Sequence, residues 1–318
     1  MPRFFGHFNT YLYHLISTPE ALRYATRQVL EDFAADGVVY LELRTTPRAL
    51  PPKLDAEGTI ELILSVIEEW NSDTSPDTSM LVNLILSIDR AKHSHDQADR
   101  IVDLALKSKS AGRPVVGVDL AGDPTAPTDL ASFRPAFKKA KDSGLGLTVH
   151  FAELPSSTLS DEMREMLSWN PDRLGHVIHV PLDVREEIVK RGIGVELCLT
   201  CNVLAGMLPP KSDPSNMASH NHESQSRDTD EIPFPASGFP EHHFGWWWTT
   251  TLGTNHPISL GTDDVGVFLS NSSDEHILAA THFQLDKDDL RELTRRAALG
   301  AFDKRALGIV HDRLANMH

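Results

Sequence analysis

The chain has 318 residues, 40% of them hydrophobic, which is enough for one large α/β barrel or for two ordinary domains. A formal net charge of −15 argues against a nucleic-acid polymer as the partner, because polymer binding needs a basic face, whereas a small ligand remains compatible with this charge. Two cysteines provide no disulfide framework, and we expect a reducing, cytoplasmic location. The longest apolar run, residues 80–88, is too short to cross a bilayer, so no membrane partner is expected.

Helical and extended patterns alternate along the sequence. Thr18 and Pro19 are suited to the N-cap and first position of a helix that Gly37 would end. The predicted helices cover about 3–16, 19–36, 58–71, 94–109, 129–142, 158–168, 182–191, 273–282, 287–300 and 303–315. The predicted strands cover about 38–44, 80–88, 114–120, 145–151, 173–179, 192–199 and 258–262. Strands separated by helices predict right-handed βαβ units and a parallel sheet.

Several predicted strands end in a polar residue. These residues are Arg44, Asp89, Asp119, His150, His176, Thr200 and Asp263. A (β/α)8 barrel collects its active-site residues from the C-terminal ends of its strands. An open doubly wound sheet does so as well, but it usually carries a glycine-rich phosphate loop, and no such pattern occurs in this sequence. The sequence therefore favours an α/β fold of the (β/α)8 TIM-type barrel class, with seven of the eight strands identified.

One segment departs from this alternation. Residues 209–240 are rich in Pro, Ser, Asp and Asn and almost lack aliphatic side chains, so they bury too little apolar surface to offset the entropy of ordering. We predict a disordered insertion within a single barrel domain that spans residues 1–318. The aromatic stretch HHFGWWW (242–248) follows it and is expected either to pack over the barrel rim or to form a wall of the ligand pocket.

Two predicted strands carry histidine near their ends. His150 is followed three residues later by Glu153, which suits a metal ligand and a general acid or base that reach one pocket. His176 follows Gly175, which leaves room for a close approach, and His179 comes three residues later. Side chains three apart on a strand point to opposite faces, so at most one of this pair faces the site. Each histidine alone is more typical of a core residue than of a ligand.

Adjacent carboxylates, Asp263 and Asp264, follow the last predicted strand. They would repel each other beside a core unless each had a partner, and a cation could pair with one while the other binds a polar ring. Gly122, after the strand that carries Asp119, would let backbone groups approach a ligand. Two histidines and one or two aspartates on separate strands make a plausible catalytic zinc site with an open position for water.

The pair Cys198 and Cys201 has C-x-x-C spacing. A single such pair is a poor zinc site. We predict that it lies at a strand end rather than at a helix start, which argues against a redox role.

Several motifs together resemble the adenosine deaminase family. The sequence contains TVHFAE, RLGH, VDLAGDP, ELCLT followed by Asn202, and SLGTDD in the order and spacing of that family. The stretches YLELRTTPR (40–48) and HHFGWW resemble its adenosine-deaminase-like branch, whose members remove methylamine from N6-methyl-AMP. The resemblance covers nearly the whole chain except about 207–240. It implies a metal-dependent (β/α)8 barrel that hydrolyses a 6-amino or 6-alkylamino purine.

The resemblance also implies roles for individual residues. His150 and Asp263 would be zinc ligands, and Glu153 would protonate the purine ring. His176 would orient or deprotonate the attacking water. Asp264 would bind the ring-nitrogen edge of the purine. Gly122 would contact the base through its backbone.

A phosphate group on the substrate would need further contacts. Three arginines at or near strand ends are candidates, namely Arg44, Arg48 and Arg90, with Thr46 and Asp89 close to them in sequence. These assignments rest on strand-end position and charge alone.

One part of the family pattern is not matched. The first strand of the family ends in an H-x-H pair that supplies two zinc ligands, and GHFN (6–9), which holds one histidine in a helical stretch, does not replace it. We therefore expect a barrel without its first strand and without two of its ligands.

Three functions follow from these patterns. The first is a zinc-dependent hydrolase of a purine nucleotide, with N6-methyl-AMP as the expected substrate and adenosine or AMP as alternatives. The second is a catalytically inactive, N-terminally truncated relative. The third is a different metal hydrolase on the same barrel. In each case the chain is expected to act as a monomer.

Overall fold

A computed structural model describes residues 13–73, 80–209 and 238–316. The predicted helix at 3–16 lies mostly outside these residues, which begin in a short helical turn, Tyr13–Leu15, and the predicted insertion at 209–240 is also almost entirely outside them. Among the described residues, no helix combines the length and the apolar character needed to cross a bilayer.

Helices and strands alternate as predicted. The strands are β1 Tyr40–Thr45, β2 Leu81–Asp89, β3 Val115–Ala121, β4 Gly146–Phe151, β5 Arg173–His176, β6 Gly194–Leu197 and β7 Ile258–Leu260. The α-helices, numbered from the first long one, are α1 Pro19–Ala35, α2 Ala56–Ser72, α3 His95–Ser110, α4 Arg134–Asp142, α5 Ser160–Ser168, α6 Leu182–Arg191, α7 Leu199–Leu204, α8 Phe244–Thr250, α9 Val265–Phe268, α10 Ser272–Phe283, α11 Lys287–Gly300 and α12 Arg305–Ala315. Two 3-10 turns, Leu130–Phe133 and Pro155–Ser157, precede α4 and α5.

Helix starts follow local capping chemistry. The Thr18 hydroxyl accepts a hydrogen bond from the Ala21 N–H at 3.1 Å, and Pro19 occupies the first helical position of α1, as the sequence predicted. Helix α3 begins with a capping box in which Ser94 and Gln97 each satisfy the backbone N–H of the other.

The sheet has the simplest parallel order. Its seven strands run β1 to β7 in chain order, and every neighbouring pair is parallel. His150 on β4 lies opposite Gly175 on β5, so His150 and His176 emerge at the same end of the sheet. The predicted α/β class with parallel βαβ units is confirmed, and the described residues hold seven strands.

Side chains that cross the interior show that the sheet is strongly curled. Arg173 on β5 donates to the carboxylate of Glu42 on β1, although a flat sheet would hold strands four steps apart at a separation of about 19 Å. The Arg173 Nε atom lies 2.6 Å from Glu196 Oε1, and Glu196 also pairs with Arg44. Arg44 Nη1 lies 3.9 Å from Asp119 Oδ2. We call these five residues the interior charge layer.

Some predicted strand ends differ from the structure. Strand β5 ends at His176 rather than at 179, because His176 and Val177 take positive φ values of 63° and 47° and leave the sheet. Strand β6 ends at Leu197, and a short helix, α7, begins at Leu199. The aromatic stretch forms helix α8, in which Phe244 and Trp247 are fully buried, so both side chains pack inside the fold.

Candidate active site

The ring of His150 is fixed at the end of β4 by two acceptors. Its Nδ1 atom lies 3.2 Å from Asp119 Oδ1 and 3.0 Å from the backbone oxygen of Leu120. Because both partners can only accept, Nδ1 carries a proton and a neutral ring keeps its lone pair on Nε2. A carboxylate or carbonyl behind one ring nitrogen is the usual arrangement for a histidine whose other nitrogen binds a metal.

Charges inside the barrel set the protonation of this pair. Burial by itself would lower the pKa of His150, but the Asp119 carboxylate raises the pKa of His150 to about 10. Burial would likewise raise the pKa of Asp119, but His150 and Arg44 hold the pKa of Asp119 at about 2. The negative environment therefore favours a positive charge at His150 Nε2, which either a proton or a metal cation can provide.

His176 is buried at the end of β5 and faces two carboxylates. Its Nε2 atom is 3.7 Å from Glu153 Oε1 and 4.0 Å from Asp263 Oδ2. Its Nδ1 atom lies 3.1 Å from the side-chain nitrogen of Asn202. The rings of His150 and His176 are 5.2 Å apart between centroids, so the ends of β4 and β5 converge on one point.

Glu153 and Asp263 reach this point on strained backbone. Ala152, directly before Glu153, has a φ of 49°, and Asp263 itself has a φ of 52°. Residues with a side chain rarely adopt such values, and they concentrate at functional sites where the surrounding structure enforces them. Glu153 is 5% exposed, which places its carboxyl in a largely desolvated position.

Asp264 follows Asp263 in the sequence, and its carboxyl group has a raised pKa. Burial and then the Asp263 charge raise the pKa of Asp264 to about 7. Near neutral pH its carboxyl group therefore holds a proton part of the time and can donate a hydrogen bond as well as accept one. We call His150, Glu153, His176, Asp263 and Asp264 the rim cluster.

The two cysteines stand close to the rim cluster, in a position that the sequence analysis described wrongly. Cys198 is the residue before helix α7 and Cys201 lies in its first turn, so the pair sits at a helix start as well as after a strand. Both thiols are free and buried, and burial raises both pKa values well above the ordinary one, which argues against a reactive thiolate. The Cys201 thiol donates to Asp263 Oδ2 at 2.9 Å.

The described residues that could hold a metal lie within the rim cluster and beside it. One ligand atom each from His176, Cys201 and Asp263 falls within 4.8 Å of the others. The free lone pair of His150 adds a further nitrogen. The His150 nitrogen and the Asp263 carboxylate are ligand types that zinc takes, whereas the Cys201 thiol keeps its proton and donates it to Asp263.

The next predicted contacts to the ligand are Gly122, Asp89 and Arg90. Gly122 has a φ of 101°, and a Cβ atom there would stand 2.3 Å from Asp89 Oδ1, so only glycine fits. Asp89 Oδ1 accepts from the Ala91 N–H at 2.9 Å and thereby shapes the loop after β2. Arg90 forms a buried, two-pronged ion pair with Glu162 at 2.8 and 3.1 Å.

Thr46 is half-buried directly after β1. The substrate-binding roles of Thr46, Asp89 and Arg90 remain predictions, and the geometry of Arg90 does not favour a free phosphate contact. Of the two histidines near the end of β5, His176 lies in the rim cluster, whereas His179 Nε2 lies 2.9 Å from the backbone oxygen of Met207.

Sequence reasoning missed three contributors to the site. Asp119 was identified as a strand-end residue but not as the partner of His150. Asn202 was part of a quoted motif without a role, and His242 was grouped with the aromatic stretch. Only the position of Asp119 gave a signal, because parallel neighbours β3 and β4 bring their C-terminal ends together.

Histidine and carboxylate side chains gathered at the C-terminal ends of parallel strands are typical of the active face of an α/β-barrel enzyme. A family model described as adenosine deaminase matches residues 1–215. The chain belongs to the adenosine deaminase family, a family of hydrolytic deaminases.

Relatives and solved structures agree with this membership. A Xenopus laevis protein named N6-methyl-AMP deaminase-L is 32% identical over 90% of this chain and 72% of its own length. A Danio rerio protein named N6-methyl-AMP deaminase is also 32% identical, over 90% of this chain and 73% of its own length. The solved structure described as Arabidopsis ADAL complexed with IMP has a TM-score of 0.80 and 28% identity and covers 98% of this chain and 82% of that one.

Proposed function

We propose that the chain hydrolyses N6-methyl-AMP to IMP and methylamine at the rim cluster. The observation that carries this proposal is the convergence of His176 on Glu153 and Asp263, at 3.7 and 4.0 Å, beside the ring of His150. Family membership supports the deaminase reaction. The names of the relatives, and the IMP in the related Arabidopsis structure, support a 6-substituted purine nucleotide.

Zinc is the cofactor that we propose for this site. His150, through Nε2, and Asp263, through its carboxylate, would hold it, and their N and O donors suit this metal. When bound, the metal supplies a water of lowered pKa and an electrophilic centre.

The side chains of the rim cluster divide the remaining chemistry. Water would add to the purine carbon that carries the methylamino group; one of its protons would replace the proton that Glu153 gives to the ring, and the other would leave with methylamine. Glu153 would deliver a proton to the adjacent ring nitrogen as negative charge develops there. Asp264 would bind the ring-nitrogen edge of the purine through its carboxyl group. Gly122 would offer its backbone to the base.

The phosphate of the substrate would meet polar side chains at the ends of β1 and β2. Arg44 pairs with Glu196, and Arg90 pairs with Glu162, so each of these arginines already has a carboxylate partner. Thr46 and Asp89 stand at the ends of β1 and β2 and remain the proposed polar neighbours of the phosphate. The preference for a nucleotide over a nucleoside is supported by the relatives rather than by these contacts.

Four substrates separate the proposed activity from its alternatives. N6-methyl-AMP, AMP, N6-methyladenosine and adenosine vary the methyl group and the phosphate independently. We expect the highest kcat/KM of the zinc-loaded chain for N6-methyl-AMP. Adenosine or AMP as the best substrate would replace the proposed specificity, whereas turnover of none of the four would favour the inactive relative or another metal hydrolase.

Three further expectations belong to the same proposal. We propose that residues 1–318 form one catalytic barrel domain, that the chain acts as a monomer, and that it works in the cytoplasm. The two free cysteines support the reducing location. Size-exclusion chromatography with light scattering tests the monomer, and imaging of the tagged chain tests the location.

A further inference from the structure

Three hydrogen bonds connect the backbone of helix α8 to His176. The Phe244 N–H donates to His242 Nδ1 at 3.0 Å, and His242 Nε2 lies 3.1 Å from Asn202 Oδ1. Asn202 Nδ2 then lies 3.1 Å from His176 Nδ1. The side chains of all three polar residues are buried, with 0 to 3% of each residue exposed. Solvent therefore cannot replace any donor or acceptor in this series of hydrogen bonds.

The donor and acceptor of each hydrogen bond in this series follow from the first bond. A backbone N–H can only donate, so His242 Nδ1 must accept. Burial lowers the pKa of His242 to about 3, so its ring is neutral and its one proton lies on Nε2. That proton is donated to Asn202 Oδ1, which fixes which end of the amide faces His242.

A second contact confirms the orientation of the amide. Asn202 Nδ2 also lies 3.8 Å from the Met207 sulfur, which can only accept. The amide nitrogen therefore faces both Met207 and His176, and it donates to His176 Nδ1. A nitrogen that accepts carries no proton, so the neutral His176 ring must carry its proton on Nε2.

We propose that Asn202 and His242 are positioning residues that hold His176 in its Nε2-protonated form. In this form the neutral ring donates from Nε2 toward Glu153 and Asp263, which are the two acceptors it faces. Of the two roles expected for His176, this form supports orientation of the attacking water, because Nε2 has no lone pair to accept a proton. The catalytic consequence rests on the proposed function, but the position of the proton does not.

Nitrogen-15 NMR of the full chain with labelled histidine measures the position of that proton directly. The His176 signals are identified by their absence from the His176→Gln variant. At mildly alkaline pH we expect His176 Nε2 to give the shift of a protonated ring nitrogen and Nδ1 that of an unprotonated one. A proton on Nδ1, alone or together with one on Nε2, would overturn the proposal.

Substitutions at Asn202 and His242 should move the His176 proton between the two ring nitrogens in a defined way. Asn202→Asp is nearly isosteric, but its carboxylate accepts on both sides, so Nδ1 of His176 should become protonated. Deaminase kcat should then fall about 10-fold to 100-fold. His242→Gln keeps a donor toward Asn202 and should retain both the Nε2-protonated form and most of the activity. Unchanged His176 shifts in Asn202→Asp would contradict the proposal.

His242→Leu provides a second route if Asn202→Asp does not fold. Without a donor at residue 242 the Asn202 amide can rotate, so a fraction of His176 should be protonated at Nδ1. A fully Nε2-protonated ring in this variant would also overturn the proposal. A wild-type chain that turns over no purine would contradict the proposed function alone, since the NMR result does not depend on turnover.

Discussion

The interior charge layer and the rim cluster each contain three carboxylates, but arginines accompany them in the layer and histidines in the rim cluster. In the layer, the charges alternate in sign from Glu42 through Arg173, Glu196 and Arg44 to Asp119. Burial would raise the pKa of Glu196, but Arg44 and Arg173 lower it. In the rim cluster three carboxylates gather, and burial together with the Asp263 charge raises the pKa of Asp264 to about 7.

We infer from this difference that the interior charge layer stabilises the barrel, whereas the rim cluster is suited to bind a ligand. In the layer each arginine lies between two carboxylates, and Asp119, at the end of the series, also contacts His150 of the rim cluster. The rim cluster combines like charges, strained backbone and desolvated carboxyl groups, which a cation and a purine would complete. Substitutions in the layer should therefore affect folding, and substitutions in the rim cluster should affect turnover.

Glu153→Gln should produce the largest effect on turnover. The amide keeps the shape of the side chain but cannot deliver the proton, so kcat should fall about 10²- to 10⁴-fold. Melting should change little, because the substitution removes one negative charge from a cluster of carboxylates. Steady-state assays with N6-methyl-AMP measure the loss, and Glu69→Gln, at an exposed position, is the control. A near wild-type kcat would contradict the role of Glu153 as the proton donor.

Arg173→Met should produce the largest effect on stability. It leaves Glu42 and Glu196 buried without their shared cation, which costs about 3–5 kcal/mol. Urea denaturation measures this cost. Lys138→Met breaks an exposed ion pair with Asp142 and should cost no more than about 1 kcal/mol. Equal losses in the two variants would show that the layer does not act as a paired network.

Gly146→Ala tests the packing beneath the interior charge layer. An added Cβ would lie 2.2 Å from the ring of Phe302, over which the Arg173 guanidinium also stacks. We expect a loss of about 1–3 kcal/mol in the free energy of unfolding. Adding Phe302→Leu should recover part of it. Gly308→Ala, in a helix with no atom near the new Cβ, is the control and should stabilise by about 0.5–1 kcal/mol. An Ala at 146 without cost would contradict this packing.

His256→Gln tests a buried neutral group outside both regions. Burial, and then the Arg296 charge, lower the pKa of His256 to about 4, and its Nε2 atom is buried without a hydrogen-bond partner. Below its ordinary pKa of 6.5 the unfolded chain therefore binds one more proton at this site, so stability falls as pH falls from 6.5 toward 4.

His256→Gln should reduce the change of unfolding free energy with pH by about 1.4 kcal/mol per pH unit at most. Denaturation curves across this window measure the slope. Above neutral pH the variant should differ from wild type by a constant amount, which serves as the internal control. An identical slope in both proteins would show that folding does not lower the pKa of His256.

The sequence predicted most of the strands because their apolar runs are bounded by polar residues and turns. Strand β2 was expected at 80–88 and lies at Leu81–Asp89, and β4 was expected at 145–151 and lies at Gly146–Phe151. Helix α7 was missed because the apolar run 192–199 does not show where extended structure stops.

The side-chain partners of the site were less predictable. Arg90 finds Glu162, 72 residues away, and His176 reaches His242 only through Asn202. Such contacts depend on how helices and loops pack over the strand ends, which no local spacing encodes. The motifs located His150, Glu153, His176, Asp263 and Asp264, but they did not reveal what orients them.

Hydrolysis in water enriched in oxygen-18 tests directly whether the rim cluster is a deaminase site. The zinc-loaded chain is mixed with N6-methyl-AMP, and IMP and methylamine are quantified by mass spectrometry. We expect one methylamine for each IMP, with one oxygen-18 atom in the purine ring carbonyl and no comparable product from Glu153→Gln. No IMP, or IMP without the label, would contradict a hydrolytic deaminase site at the rim cluster.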